Sequence, residues 1–330
     1  MRCINNMTTE ELKNALRSSK YGFPYFRTLV DKREFFNSPV RLDLDKRSSD
    51  TIIFNSEIAD VFEIVDDSFK ECYDAVVNGE GDENRKIHSL RSSSLLGLLA
   101  FYKVHSGTCM KFEKVINGKS IMFSLSEVVF EKTNRVFHQS LGLSSLDVAL
   151  YGTANGDPCV LYLESKLTEY LDRKDMKEKE KDKVVSYPIS GKYSPYYKRI
   201  MEGFPGLGIT ADEKKGVTLF SNDGESHYCE GIKQMISHYI GAMNSEDLFK
   251  GMKVFLGTIL YDFSQYKCGV DDDGHIIGDY QKLYSALAKR LNSLSKDRLQ
   301  VIEDAFTYQD FFKQVQGYEL DKYVKEYYQL

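Results

Sequence analysis

The chain has 330 residues, of which 42% are hydrophobic and 28% charged, a balance typical of a globular protein with a sizeable core. Its formal net charge of −5 excludes binding of nucleic acid through an overall basic character, although a local basic cleft would be enough. The six cysteines form no CxxC pair and no Cys/His cluster, so the sequence predicts reduced thiols and no zinc site.

The first residues lack the apolar core of a signal peptide. No stretch of the sequence approaches the roughly 18 consecutive apolar residues of a membrane-spanning helix. We therefore expect a cytoplasmic protein that has no membrane partner.

Residues 1–78 are predicted to form a mainly helical extension that packs on the rest of the chain. Thr8–Glu11 has the threonine and the acidic first turn of a helix start. Thr51–Val77 is predicted to be largely helical, with an apolar stripe that runs from Ile58 to Val65. Such a stripe is typical of a helix packed on a core, and the extension carries no chemical signature.

An acidic turn at Gly79–Asn84 leads into a second helical stretch whose leucines recur along one side. Its glutamates, Glu80 and Glu83, would favour the positive N-terminal end of that helix. The serines of Ser92–Ser94 are suited to contact phosphate, and close packing of small side chains explains them equally well.

Two hairpins are predicted in the middle of the chain. The strongest turn signal is Asn117–Gly118, which lies between two strand-like runs, and Glu131 follows as a weaker candidate carboxylate. In the second hairpin, Leu146–Tyr151 and Val160–Lys166 alternate with a period of two around a turn-rich segment, Gly152–Pro158.

The register of the second hairpin brings charged side chains together. Pairing Tyr151 with Val160 places Asp147 opposite Glu164, with Lys166 next along the same face. Two carboxylates whose Cβ atoms are about 4.5–5.5 Å apart raise one another's pKa unless a cation lies between them. A Mg²⁺ ion, which needs only one or two carboxylates plus waters, would resolve this conflict. An ordinary ion pair from Lys166 to one carboxylate, on a solvated face, explains the same three residues.

Residues 172–224 are predicted to be an insertion. Its first part, 172–183, is a dense mixed-charge run typical of a solvated helix or loop, and a basic arm over a nucleic-acid backbone is the alternative. The remainder is long and irregular, as functional loops often are. Its glycines match neither GxGxxG nor a phosphate-binding loop, so the sequence argues against a nucleotide site.

Three elements follow the insertion. His227–Ile240 is predicted to be a helix with an apolar face, and Lys253–Phe263 a buried strand. Tyr280–Leu330 is predicted to be helical, with a short helix that begins at Thr307–Gln309. The tyrosines near the end either pack in the core or stack on bases.

Asp147 followed by Glu164-Ser165-Lys166 on adjacent strands resembles the active site of the PD-(D/E)XK nuclease superfamily. A closer similarity is to bacterial type II restriction endonucleases, which combine an acidic turn before an SSS-containing helix, a DV…ESKxxE pattern and a YxxGIKQ helix. Over residues 79–262 the corresponding residues are Glu83 with Ser92–Ser94, Asp147-Val148, Glu164–Lys166 with Glu169, and Tyr228–Gln234. The sequence around Glu83 matches only loosely, which leaves the third metal ligand open.

The resemblance implies an α/β fold with a restriction-endonuclease-like mixed central sheet flanked by helices and with helical N- and C-terminal additions. Residues 79–330 would form the nuclease core, which includes the insertion at 172–224 and the helical C-terminal region. Many members of the superfamily carry a glutamate on a helix before the central strands, and here Glu83 is the first candidate and Glu80 the second. In many of these nucleases a Gln or Lys on the helix after the Glu-x-Lys motif reaches toward the site, as Gln234 would here.

The implied activity is hydrolysis of phosphodiester bonds in double-stranded DNA with Mg²⁺, for which Mn²⁺ would substitute. The implied catalytic residues are Asp147, Glu164, Lys166 and Gln234, and the implied metal ligands are Asp147, Glu164, the backbone carbonyl of Ser165 and Glu83. A type II restriction enzyme acting as a homodimer is the function expected by analogy. The alternatives are a repair or structure-specific nuclease and a non-catalytic DNA-binding or scaffold protein on the same fold.

Overall fold

The computed structural model describes residues 40–42, 52–54, 58–78, 87, 92–105, 107–136, 143–167, 202, 210–212, 216–218, 230–262, 276–295, 298–328 and 330. Within these ranges the protein is α/β, with a mixed seven-stranded sheet flanked by helices. Among the helices in these ranges, none is both long and apolar enough to cross a bilayer.

The strands are β1 (Val40–Leu42), β2 (Ile52–Phe54), β3 (Met110–Ile116), β4 (Lys119–Arg135), β5 (Leu143–Ala154), β6 (Asp157–Lys166), β7 (Thr210–Asp212), β8 (Gly216–Thr218), β9 (Lys253–Leu260), β10 (Leu299–Val301) and β11 (Phe306–Thr307). The helices are α1 (Ile58–Phe62), α2 (Asp67–Val77), α3 (Ser93–Phe101), α4 (Glu230–Met243), α5 (Glu246–Phe249), α6 (Ile276–Leu294), α7 (Tyr308–Gln314) and α8 (Lys322–Tyr328). A 3₁₀ turn, Tyr102–Val104, follows α3.

The main sheet has the strand order β10-β9-β6-β5-β4-β3, and β11 also pairs with β9. Strands β3 to β6 form an antiparallel meander, whereas β9 is parallel to β6 and both β10 and β11 are parallel to β9. Strand β6 therefore lies at the junction of the antiparallel and parallel halves, where both of its edges are paired. This position explains why nearly all of its residues are buried.

Both predicted hairpins are confirmed. Asn117 and Gly118 form the turn between β3 and β4 with φ of 50° and 72°, the left-handed conformation that an Asn-Gly turn requires. The second hairpin has the predicted pairing of Tyr151 with Val160. Its turn is tighter than predicted, because β5 and β6 continue through most of Gly152–Pro158 and only Asn155-Gly156 turns the chain.

The N-terminal prediction is correct in part. Helices α1 and α2 fall within the predicted helical segment, but Ile52–Phe54 is a strand that pairs with β1. The apolar stripe also ends early, since the chain leaves the helix at Glu63 with a φ of 51° and Val65 is 95% exposed. Asp66 then caps α2 by accepting the backbone N–H of Ser68, a restart that helical periodicity alone does not reveal.

The C-terminal prediction is also correct in part. Strand β9 and helix α7 lie where a strand and a short helix were predicted, and the Thr307 hydroxyl caps α7 by accepting the N–H of Asp310. The supposedly all-helical C-terminal region nevertheless contains β10 and β11. These strands have three and two residues, and they form through pairing with β9, which a local pattern cannot reveal.

Aromatic side chains join the terminal segments to the core. Phe62 packs edge-on against Tyr327, with ring centroids 5.4 Å apart, and Phe69 packs edge-on against Tyr102 at 5.2 Å. Helix α3 is buried along its length, from Ser94 to Phe101. The division of the chain at residue 78 stays a prediction.

Candidate active site

Strands β5 and β6 separate at the point where the predicted site begins. Their last ladder pair is Val148 with Leu163, so the same register continued by one residue places Asp147 opposite Glu164. There the backbone pairing is replaced by a side chain: Asp147 Oδ2 accepts the backbone N–H of Ser165 at 2.6 Å. Its other oxygen, Oδ1, accepts the Ser94 hydroxyl of α3 at 3.2 Å, so Asp147 is fixed by a strand and by a helix.

Glu164 and Lys166 form a buried ion pair, with exposures of 6% and 5%. Lys166 Nζ donates to Glu164 Oε1 at 2.6 Å and to Gln234 Oε1 at 2.8 Å. Gln234 comes from α4, which precedes β9 in the chain. The structure thus brings together four of the sequence-predicted residues, namely the two carboxylates, the lysine and the glutamine.

Ser165, between these two charged residues, points its side chain to the opposite face of the sheet. Its hydroxyl donates to the Ser93 carbonyl at 2.8 Å and lies 2.7 Å from the Tyr308 hydroxyl. Because an extended residue directs its N–H and its C=O to the same neighbouring strand, the Ser165 carbonyl lies on the Asp147 side together with the N–H. The resemblance implies that this carbonyl is a metal ligand.

His238 belongs to the same cluster, although the sequence did not single it out. Its Nε2 lies 2.9 Å from Glu164 Oε2, at ion-pair distance but without the alignment of a full hydrogen bond. Its Nδ1 lies 2.5 Å from the hydroxyl of Ser144 at the start of β5. His238 follows Gln234 by four residues in α4, a spacing that places both on one helix face and could have identified it.

The pKa values of the Asp147 and Glu164 carboxyl groups are shifted in opposite directions. Burial raises the pKa of Asp147 well above its ordinary value, and the neighbouring carboxylates of Glu164 and Glu131 raise it further, more than Lys166 and the Ser165 N–H lower it. Burial also acts to raise the pKa of Glu164, but Lys166 and His238 outweigh it and lower this pKa to about 2. Glu164 is therefore stably ionised, whereas the same surroundings disfavour the ionised form of Asp147.

Glu131, the weaker candidate, also lies at this site. The pairs that flank it in β4 and β5 place Glu131 opposite Asp147, and Glu131 itself, with a φ of 49°, has no ladder pair. Its carboxylate accepts the hydroxyl of Ser145 at 2.8 Å. By register, three carboxylates thus follow one another across β4, β5 and β6. Glu83 and Glu80 lie outside the residues that the structure describes.

The donors at this site suit a hard divalent cation, although the described residues contain no group of three or more His, Cys, Asp or Glu side chains arranged to hold a metal ion. Two carboxylates and a backbone carbonyl are oxygen ligands of the kind that Mg²⁺ accepts together with several waters. A cation beside Asp147 would also neutralise the charge that burial and its carboxylate neighbours disfavour. The residues present therefore fit the ion that the resemblance implies.

No family model, no curated protein and no solved structure matches this chain.

Proposed function

We propose that this chain is a metal-dependent endodeoxyribonuclease with a restriction-endonuclease-like fold, and that it cleaves double-stranded DNA as a type II restriction enzyme. The observation that carries the proposal is the position of Asp147 and Glu164-Ser165-Lys166 where β5 and β6 separate, with Lys166 bonded to both Glu164 and Gln234.

The order of elements around the site supports the proposal. Helix α3 precedes the central strands, β5 carries the aspartate, β6 carries Glu-x-Lys, and α4 follows with the glutamine that reaches the lysine. This is the arrangement that the resemblance to PD-(D/E)XK nucleases implies. A short motif occurs often by chance, whereas its correct placement on paired central strands is a more demanding condition.

In this proposal Asp147, Glu164 and the Ser165 carbonyl would hold Mg²⁺. When bound, Mg²⁺ supplies polarisation of the phosphate and a more acidic water. Lys166 would orient the attacking water or stabilise the charge that develops on the phosphate, and its ammonium is held in place by Glu164 and Gln234. In-line attack by water requires no nucleophilic side chain.

The proposal is tested by incubating the purified protein with a panel of plasmid and phage DNAs in Mg²⁺ and in EDTA. Lys166→Ala is compared with Lys253→Ala, which removes an exposed lysine paired with Asp157 at the opposite end of β6. We expect the wild type and Lys253→Ala to produce discrete fragments in Mg²⁺ and no fragments in EDTA. Loss of the Lys166 ammonium is expected to slow cleavage on the order of 10²-fold or more.

Each other outcome points to a different conclusion. A Mg²⁺- and Lys166-dependent smear would retain the nuclease and remove the sequence specificity. Cleavage restricted to flaps or mismatches would indicate a repair enzyme, and DNA binding without cleavage of any substrate would indicate a non-catalytic binding protein. Undiminished cleavage by Lys166→Ala would overturn the assigned site.

A further inference from the structure

The side chain that completes the surroundings of Glu164 is His238. Lys166 holds one oxygen of the Glu164 carboxylate, and His238 Nε2 faces the other at 2.9 Å. The imidazole is itself fixed from behind, since its Nδ1 lies 2.5 Å from the Ser144 hydroxyl. The start of β5 thus contacts the imidazole of α4, which in turn contacts the Glu164 carboxylate of β6.

A hydrolytic role for the order Ser144–His238–Glu164 is incompatible with its burial. Ser144 is 3% exposed and His238 is 4% exposed, so the serine hydroxyl cannot meet a substrate. The three side chains instead form an internal contact network, in which Ser144 holds the imidazole and the imidazole faces Glu164.

The direction of the protons follows from the partners. A hydroxyl can donate to Nδ1, which leaves the imidazole proton on Nε2, where it faces a carboxylate oxygen. The opposite tautomer would place the Nε2 lone pair against Glu164 and is disfavoured. The Glu164 carboxylate, which can only accept, therefore selects the Nε2–H tautomer, and the Ser144 hydroxyl can donate to Nδ1.

We infer that His238 is a positioning residue, which orients the Glu164 carboxylate for a divalent cation while Lys166 holds its other oxygen. The inference rests on the proposed function. Each carboxylate oxygen offers two lone pairs, so one donor on each oxygen leaves the remaining lone pairs for the cation. Groups that orient metal-binding side chains in this way typically contribute about 10- to 100-fold to metal affinity.

Two substitutions at His238 separate orientation from packing. His238→Gln retains an N–H donor that reaches toward Glu164, whereas His238→Leu removes it. In calorimetric titrations with Mg²⁺ and no DNA, we expect His238→Leu to bind Mg²⁺ about 10- to 100-fold more weakly and His238→Gln to recover most of the affinity. Ser144→Ala is expected to shift affinity in the same direction as His238→Leu, but less.

Two further measurements exclude a general structural effect. Raising the Mg²⁺ concentration should restore cleavage by His238→Leu, because a deficit in metal affinity is overcome by mass action. His105→Leu is the matched control, since His105 also lies 3.0 Å from a glutamate, Glu71, outside this site. Thermal unfolding in EDTA establishes that each variant is folded before Mg²⁺ is added.

The possible failures are distinguishable. If the wild type binds Mg²⁺ and Glu164→Ala does not, but His238→Leu binds as tightly as the wild type, the positioning role is wrong and the nuclease stands. If Mg²⁺ binding depends on His238 but no DNA is cleaved, the positioning role stands and the nuclease is wrong. A wild type that neither binds Mg²⁺ nor cleaves any DNA in its presence overturns both.

Discussion

The Asp147 carboxylate accepts the backbone N–H of Ser165 at 2.6 Å and so links β5 to β6 beyond their last ladder pair. A buried N–H at a strand separation must find an acceptor, and here that acceptor is an ionisable side chain. Asp147 therefore contributes to the fold through this hydrogen bond, while its charge is disfavoured by burial and by the adjacent carboxylates.

Asp147→Asn is expected to stabilise the metal-free protein. The amide oxygen can still accept the Ser165 N–H, whereas the charge is gone. Because the pKa of Asp147 is raised on folding, the ionised form opposes folding, and its removal should increase the free energy of unfolding. Single stabilising substitutions commonly contribute about 0.5–2 kcal/mol. Chemical denaturation in EDTA measures this change, and Mg²⁺ should then stabilise the wild type but not the variant.

The control for this prediction is Asp157→Asn, at the turn end of the same hairpin. Asp157 is 62% exposed and paired with Lys253, so loss of its charge should change stability little. An Asp147→Asn protein that is destabilised or unchanged would show that the charge on Asp147 does not oppose folding.

Glu164→Gln is expected to have the opposite effect, with a distinct pH dependence. The variant leaves the buried Lys166 ammonium without its carboxylate, a change that costs about 3–5 kcal/mol in comparable buried pairs. Since folding lowers the pKa of Glu164 from 4.5 to about 2, its contribution to stability is complete above pH 4.5 and is lost as the pH falls through about 2.

Urea denaturation of the wild type and Glu164→Gln between pH 7 and pH 3 tests whether the stabilisation by Glu164 is lost as the pH falls. The difference in unfolding free energy should be largest near neutrality and should shrink below pH 4.5. Asp310→Asn is a suitable comparison, because Lys313 lowers the pKa of Asp310 as well, but on an exposed surface where solvent screens the pair. A difference that stays constant across this pH range would contradict the role assigned to the ion pair.

Local chemistry explains which parts of the fold were predictable. Asn117-Gly118 determines a turn, and the alternating residues before Val160 determine a strand register. Both depend on only a few residues of chain, and both predictions are confirmed. The charged residues of the site follow directly, because their approach depends on that register. Gln234 was predicted from the resemblance, and the structure places it on Lys166.

The remaining features depend on contacts between segments that are distant in sequence. His238 and Ser144 are 94 residues apart and meet only because α4 docks on β5. Strand β10 exists through its pairing with β9, and Ile52–Phe54 through its pairing with β1, so tertiary contacts outweigh the local preference in both. No periodicity within a single segment carries this information.

Helix α4 packs closely on β4 and β5 at Gly241, and Gly241→Ala tests whether this contact positions the helix. A Cβ at this position would lie 3.0 Å from Ser144 Cβ and 3.1 Å from Asn134 Cβ, so α4 would have to move away from β4 and β5 by a few tenths of an ångström. Because α4 carries Gln234 and His238, this movement would loosen their contacts with Lys166 and Glu164.

We expect Gly241→Ala to weaken both Mg²⁺ binding and cleavage. Overpacking should lower the free energy of unfolding by about 1–3 kcal/mol, and the higher helix propensity of alanine should restore about 1 kcal/mol of it. Gly257→Ala in β9 is the matched control. Its Cβ would lie 3.3 Å from a methyl group of Leu163 and 3.4 Å from one of Ile302, so its nearest neighbours are core side chains outside α4. If Gly241→Ala and Gly257→Ala lose stability and Mg²⁺ affinity in the same proportion, the site depends on overall stability, and the packing of α4 on the sheet has no separate role. Weaker Mg²⁺ binding in Gly241→Ala alone would mean that one close helix–sheet contact sets the geometry of the carboxylate.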